Sequence, residues 1–203
     1  MKLKKLKNIS AGLVIAFLLS ACGSTGSGVT IGKTEVSSSQ IQKYVDEILS
    51  ERAKVDTTQM NLDSGASLVR TQAQFQIISA VLDQIIADKK ISVTPADVAA
   101  RRADIVTQVG GEAQLPTALV SASLAPSNLD KYLKIILISE KLNALVVTEG
   151  ATAETAGEAV TKLVTDTAKK LGVKVNSRYG KWNAATATIE AADNTGGAVT
   201  PVP

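Results

Sequence analysis

Few residues in this chain are equipped for chemistry. Of its 203 residues, one is cysteine and none is histidine. The one thiol, Cys22, lies in Leu19-Ser20-Ala21-Cys22. Without histidine there is no serine or cysteine triad of the usual kind, no His-ligated zinc and no imidazole pH switch. One cysteine allows neither an intrachain disulfide nor a thiolate metal cluster. Gly32-Lys33-Thr34 matches the end of a phosphate loop, but Ser27 stands where that pattern needs its first glycine. A polar stretch precedes it instead of a buried strand, so a hairpin turn is the better reading. No serine is followed three positions later by lysine, which removes the Ser-x-x-Lys acylation pair. Asp46 and Glu47 are adjacent and so point to different faces of a helix, as solvated surface does. Arg101-Arg102 is able to touch an anionic partner, and is equally ordinary as helix surface. Along the sequence these residues assemble no active site, though scattered residues can still converge in space.

The segment before the thiol reads as an address. Lys2, Lys4, Lys5 and Lys7 make a cationic start, and residues 11–19 follow as an apolar stretch. That stretch is shorter than the roughly 20 residues a membrane span needs, and fits a signal peptide over residues 1–21. Leu19-Ser20-Ala21-Cys22 resembles the lipobox of bacterial lipoproteins. The resemblance implies a diacylglyceryl group on the Cys22 sulfur, cleavage just before it, and a place on the extracytoplasmic face of the cell membrane. A buried free cysteine is the competing reading; an export signal before it and a polar stretch after it argue for the lipid.

Cleavage would also change the charge. The whole chain carries 22 basic and 19 acidic residues, net +3. Four of the lysines and no acid lie in residues 1–21, which leaves 18 against 19 and a net of −1. A near-neutral mature chain has no strong drive toward nucleic acid.

The remaining elements follow from periodicity and caps. Residues 22–28 read as a flexible Gly/Ser/Thr tether, and 29–36 as a short strand with a glycine turn. A first helix is predicted from the Ser37 N-cap, with Gln40 as capping-box partner and an Ile41, Tyr44, Val45, Ile48, Leu49 stripe. Residues 67–90 form a second helix with Phe75, Ile78, Leu82, Ile85 and Ile86 on one face. A third opens at Thr94-Pro95-Ala96-Asp97, with a capping threonine, a proline in the first turn and an acid near the positive end of the dipole. Gly110-Gly111 ends it, and a short helix carries Leu115 and Leu119. In the helix over 127–147, Leu129, Tyr132, Leu133 and Ile136 share one side and Ile138, Leu142 and Leu145 nearly the opposite one. A stripe that changes face predicts a different packing environment at each end. A last helix over 152–171 stops at Gly172 and leads into a strand at 173–175. Phe75 and Tyr132 are expected in the core, and Tyr179 and Trp182 are expected to clamp the terminal segment to the body. Residues 183–203 have little periodicity and read as a disordered tail.

The order of these pieces resembles the N-terminal chaperone domain of the SurA family, related to the non-catalytic parts of PrsA-type foldases and to the arms of trigger factor. Residues 29–37 match its opening strand and turn into a helix, and Val93-Thr94-Pro95-Ala96-Asp97-Val98 its V-T-x-x-x-V helix start. Gly110-Gly111-Glu112 and residues 129–142 resemble the approach to its long central helix. Val175-Asn176-Ser177-Arg178-Tyr179-Gly180-Lys181-Trp182 resembles the closing strand of lipoprotein members, with Ser177 where proline is common. The resemblance spans 29–182 and implies a mainly α, elongated, multi-helix chaperone domain whose N- and C-terminal strands form a small sheet. The family's parvulin prolyl-isomerase domain, a small domain of about 90 residues, is missing, because residues 147–152 join its flanking helices directly.

The expected function is therefore a membrane-anchored holdase that needs no ATP and no cofactor. Its partners would be unfolded or nascent exported polypeptides and, through the anchor, the membrane. Leu119, Val120, Leu133, Ile135 and Ile136 are the expected client contacts, although each suits a core equally well. The alternatives are a surface lipoprotein acting as scaffold or binding module, and a degenerate prolyl isomerase.

Overall fold

The computed structural model describes residues 26–192. Cys22, the signal segment and residues 193–203 lie outside the described residues. The fold is mainly helical, with a small antiparallel sheet built from both ends of the chain. Strands β1 (Ser27–Ile31) and β2 (Thr34–Ser37) form a hairpin around Gly32-Lys33. Strand β3 (Lys174–Val175) pairs with the other edge of β1, Val29 opposite Val175, so the order is β2-β1-β3.

Six helices lie between β2 and β3: α1 (Ser38–Arg52), α2 (Gly65–Lys89), α3 (Pro95–Gln108), α4 (Leu115–Ser121), α5 (Leu129–Thr148) and α6 (Ala156–Leu171). Their starts obey local chemistry. The Ser37 hydroxyl accepts the Gln40 amide N–H at 3.1 Å. Only half of the expected capping box forms there, because the Gln40 side chain donates instead to the Tyr44 hydroxyl. At α3 the box is complete: Thr94 Oγ1 accepts from Asp97 N, and Asp97 Oδ2 accepts from Thr94 N. Gly172 closes α6 in the left-handed conformation that an L side chain resists.

Helix α2 is the axis of the molecule. It packs on α1, α5, α6 and β1, and Ile77, Val81, Leu82 and Ile85 are buried while Phe75, Ile78 and Ile86 are half-buried. Neighbours on several sides spread its apolar residues beyond one stripe. The main cluster joins this helix to Val29, Ile31, Ile41, Ile138, Leu142 and Ala168. A second cluster holds Tyr44, Val45, Ile48, Leu68 and Ala125, and a third Leu115, Leu119, Leu124, Leu129 and Leu133. Helix α5 thus changes partners along its length, with Leu129 and Leu133 in the third cluster and Ile138 and Leu142 in the main one.

Several expectations need correction. The tether reading of 22–28 fails at its end: Gly26 O accepts the Ser38 amide at 2.9 Å, and Ser27 and Gly28 are already strand. The tail reading fails at its start. Strands β4 (Lys181–Asn183) and β5 (Thr188–Glu190) pair antiparallel, Trp182 opposite Ile189, and Ala187 and Ile189 join the main cluster. Gln74 fastens that hairpin at both ends of its side chain, donating to Ala187 O and accepting from Ile189 N, each at 2.8 Å. Gly180 permits the approach, since at φ +126° a Cβ here would run into the Glu190 carbonyl oxygen. Tyr132 is 39% exposed and Leu49 48%, so neither is core.

Candidate functional site

The client contacts expected from the sequence do not form a surface. Leu119, Val120 and Leu133 are buried, the first and last inside the third cluster. Ile135 is half-buried against the main cluster, and Ile136 is half-buried. Their apolar character is satisfied by packing, which the stripes of α4 and α5 alone could not distinguish from exposure. Cys22 lies outside the described residues.

A groove lined by both apolar and charged residues opens next to them. It holds about 440 Å³ between α2, α3 and α5. Pro95, Val98, Ala99 and Arg102 of α3 form one wall, and Asp83 of α2 with Asp130, Lys131 and Lys134 of α5 form the other. Helix α3 is held from one side only. None of its residues is fully buried, and Val98, Ile105 and Val106 rest half-buried on the third cluster. Two ion pairs, Arg101 with Glu140 and Arg102 with Glu112, add to its attachment at exposed positions. Exposed pairs of this kind contribute about 0–1 kcal/mol each.

The groove's electrostatics are mixed. Lys134 Nζ sits 2.6 Å from Asp83 Oδ1, so these two neutralise each other at the rim. Lys131 has no carboxylate on its ammonium; it donates to Gln76 Oε1 at 2.7 Å. Burial pulls the Lys131 ammonium below the usual lysine value, Asp83 opposes that shift, and Lys134 adds to it.

A polar seam lies behind Lys131. Gln72 and Gln76, one turn apart on α2, are only 2% and 3% exposed. Gln72 Nε2 donates to Ser123 O at 3.0 Å, and Arg52 donates to Ser123 Oγ in the same loop and to Asp63 O in the loop before α2. Gln72 Oε1 and Gln76 Nε2 have no partner among the described residues. A buried unpaired amide atom costs about 1–3 kcal/mol, so this seam is a reserve of hydrogen-bonding capacity beside the groove. Sequence reasoning missed it, because a periodicity count records only where apolar residues fall.

Among the described residues no three of histidine, cysteine, aspartate and glutamate stand close enough to hold a metal ion. Among the same residues no helix is long and apolar enough to cross a membrane. Compared with known proteins, the chain matches no family model, no curated protein and no solved structure.

Proposed function

We propose that the protein is a lipid-anchored, extracytoplasmic holdase that keeps unfolded exported polypeptides from aggregating, without ATP. The observation that carries this reading is the α2/α3/α5 groove, where Pro95, Val98 and Ala99 give the α3 wall its apolar surface beside Arg102, on a helix with no fully buried residue. Apolar contact is non-directional, so such a groove accepts many sequences weakly. Binding the unfolded state and not the native one shifts the client's equilibrium by mass action alone. The groove takes the place of the buried leucines as the client surface, with Val98 and Ala99 as its apolar contacts. The SurA-like order of elements and the lipobox at Cys22 support the same assignment.

The test is a denatured reporter diluted into buffer with and without the mature protein. Light scattering should fall at stoichiometric ratios, and Ala99→Glu should remove most of the effect while leaving the fold intact, since α3 buries nothing fully. Scattering unchanged by the wild type would reject the holdase. In cells, Cys22→Ala should move the protein from the membrane fraction to the soluble one.

A further inference from the structure

We infer that the end of the molecule carrying Gly26 is a membrane-docking face that seats the phosphate of an anionic phospholipid headgroup. The inference draws its membrane proximity from the Cys22 anchor proposed above. Only Gly23, Ser24 and Thr25 separate Cys22 from Gly26, where the body begins. At roughly 3.5 Å per residue, those four steps reach no more than about 14 Å. A body held that close to the bilayer has little choice about which end meets it.

That end is built for an anion. Gly26 lines a hollow of about 590 Å³ with Ser38 and Ser39 of α1, Ala66 and Val69 of α2, and Arg178. Both helices present their first turns there, and neither has an acidic residue in that turn. The positive ends of two dipoles therefore border the same hollow, although the Ser38 and Gln40 amides of α1 are engaged by Gly26 O and Ser37 Oγ. Asp63, the nearest acid before α2, is engaged on another side of that helix by the Ser67 and Thr71 hydroxyls. Arg178 is the one charged residue of the lining, and it has no ion-pair partner among the described residues. Its guanidinium carbon lies 5.8 Å from the centre of the Tyr179 ring. Ser38, which is nine-tenths buried and lines the hollow, has a hydroxyl with no hydrogen-bond partner among the described residues.

The face is also tied to the start of β1. Asn176 N donates to Gly28 O at 2.9 Å and Asn176 Nδ2 to Ser27 O at 3.0 Å, while its Oδ1 accepts from Arg178 N. Arg70 Nε holds Tyr179 O at 3.1 Å. The residue that would meet the phosphate is thus pinned to the strand that leaves the membrane.

The test separates this face from the lipid. The described strands, helices and apolar clusters begin at Ser27, so the chain from Gly23 onward, lacking the thiol, is the protein to use. Co-sedimentation with phosphatidylglycerol vesicles should be at least fivefold stronger than with phosphatidylcholine vesicles, and should weaken with salt. Arg178→Glu should abolish that preference. Lys54→Glu should leave it unchanged, since Lys54 lies past the far end of α1, about 24 Å along its axis. Equal sedimentation with both vesicles, or equal loss in both variants, overturns the inference. So does binding of inorganic phosphate, seen as Arg178-dependent amide shifts, without vesicle binding, because the ligand is then a soluble anion. None of these outcomes depends on whether the groove holds clients.

Discussion

Helices α2 and α3 show two ways of belonging to one molecule. Helix α2 buries nine residues and touches both the sheet and three other helices. Helix α3 buries none, yet has the better N-terminus, with a complete capping box and a proline in its first turn. The first is held by tertiary packing and the second largely by its own local signals. Helical stability in proteins comes mostly from packing, so α3 should separate from the body at much lower free energy than α2 unfolds. A holdase can use that difference, because a client entering the groove need only displace half-buried contacts.

The largest effect is expected in the body. Ile77→Ala removes a fully buried side chain from the main cluster, and should cost about 2–5 kcal/mol of global stability in urea denaturation. The corresponding Ile105→Ala on α3 should cost well under half as much. Equal losses would erase the distinction. Gly180→Ala comes next. It forces the β4–β5 hairpin away from its own carbonyl and loosens Ala187 and Ile189, a loss of about 2 kcal/mol or more, visible as a red-shifted Trp182 emission. Thr94→Ala should cost about 1 kcal/mol of helix stability. The loss should be local, read as faster amide exchange in α3 with protection in α2 unchanged.

The smallest effect is expected from pH. The Asp97 carboxyl is held below its ordinary value of 3.8 by the Thr94 backbone N–H and then by the Thr94 hydroxyl. A depressed carboxyl pKa adds stability above the unfolded value and loses it as pH falls through the folded one. The first turn of α3 should therefore fray only below about pH 4, with α2 amides unaffected, in exchange measured from pH 5 to pH 3. Loss of α3 protection already at pH 5 would assign its cap to other groups.

Much of this was legible before any coordinates. Ser37, Thr94-Pro95 and Gly172 mark helix ends by chemistry that acts within a few residues, and the structure places helix ends at each. The change of face along α5 foretold its two clusters. Long-range choices were not legible. Strands β4 and β5 have three residues each, too short for alternation to register, and their burial depends on Gln74, more than a hundred positions earlier. Leu119, Val120 and Leu133 misled for a related reason: sequence tells that a residue is apolar but not whether a neighbouring helix already covers it. The groove itself arises where α3 packs incompletely on α2 and α5, which no single element encodes.

The most direct measurement places a photo-reactive benzoylphenylalanine at position 99, in the groove, and at position 43, on the exposed side of α1. Irradiation with an unfolded reporter should yield adducts from position 99, fewer from position 43, and none with the native reporter. Adducts that form equally at both positions, or with native and unfolded reporter alike, would contradict the groove as the client site.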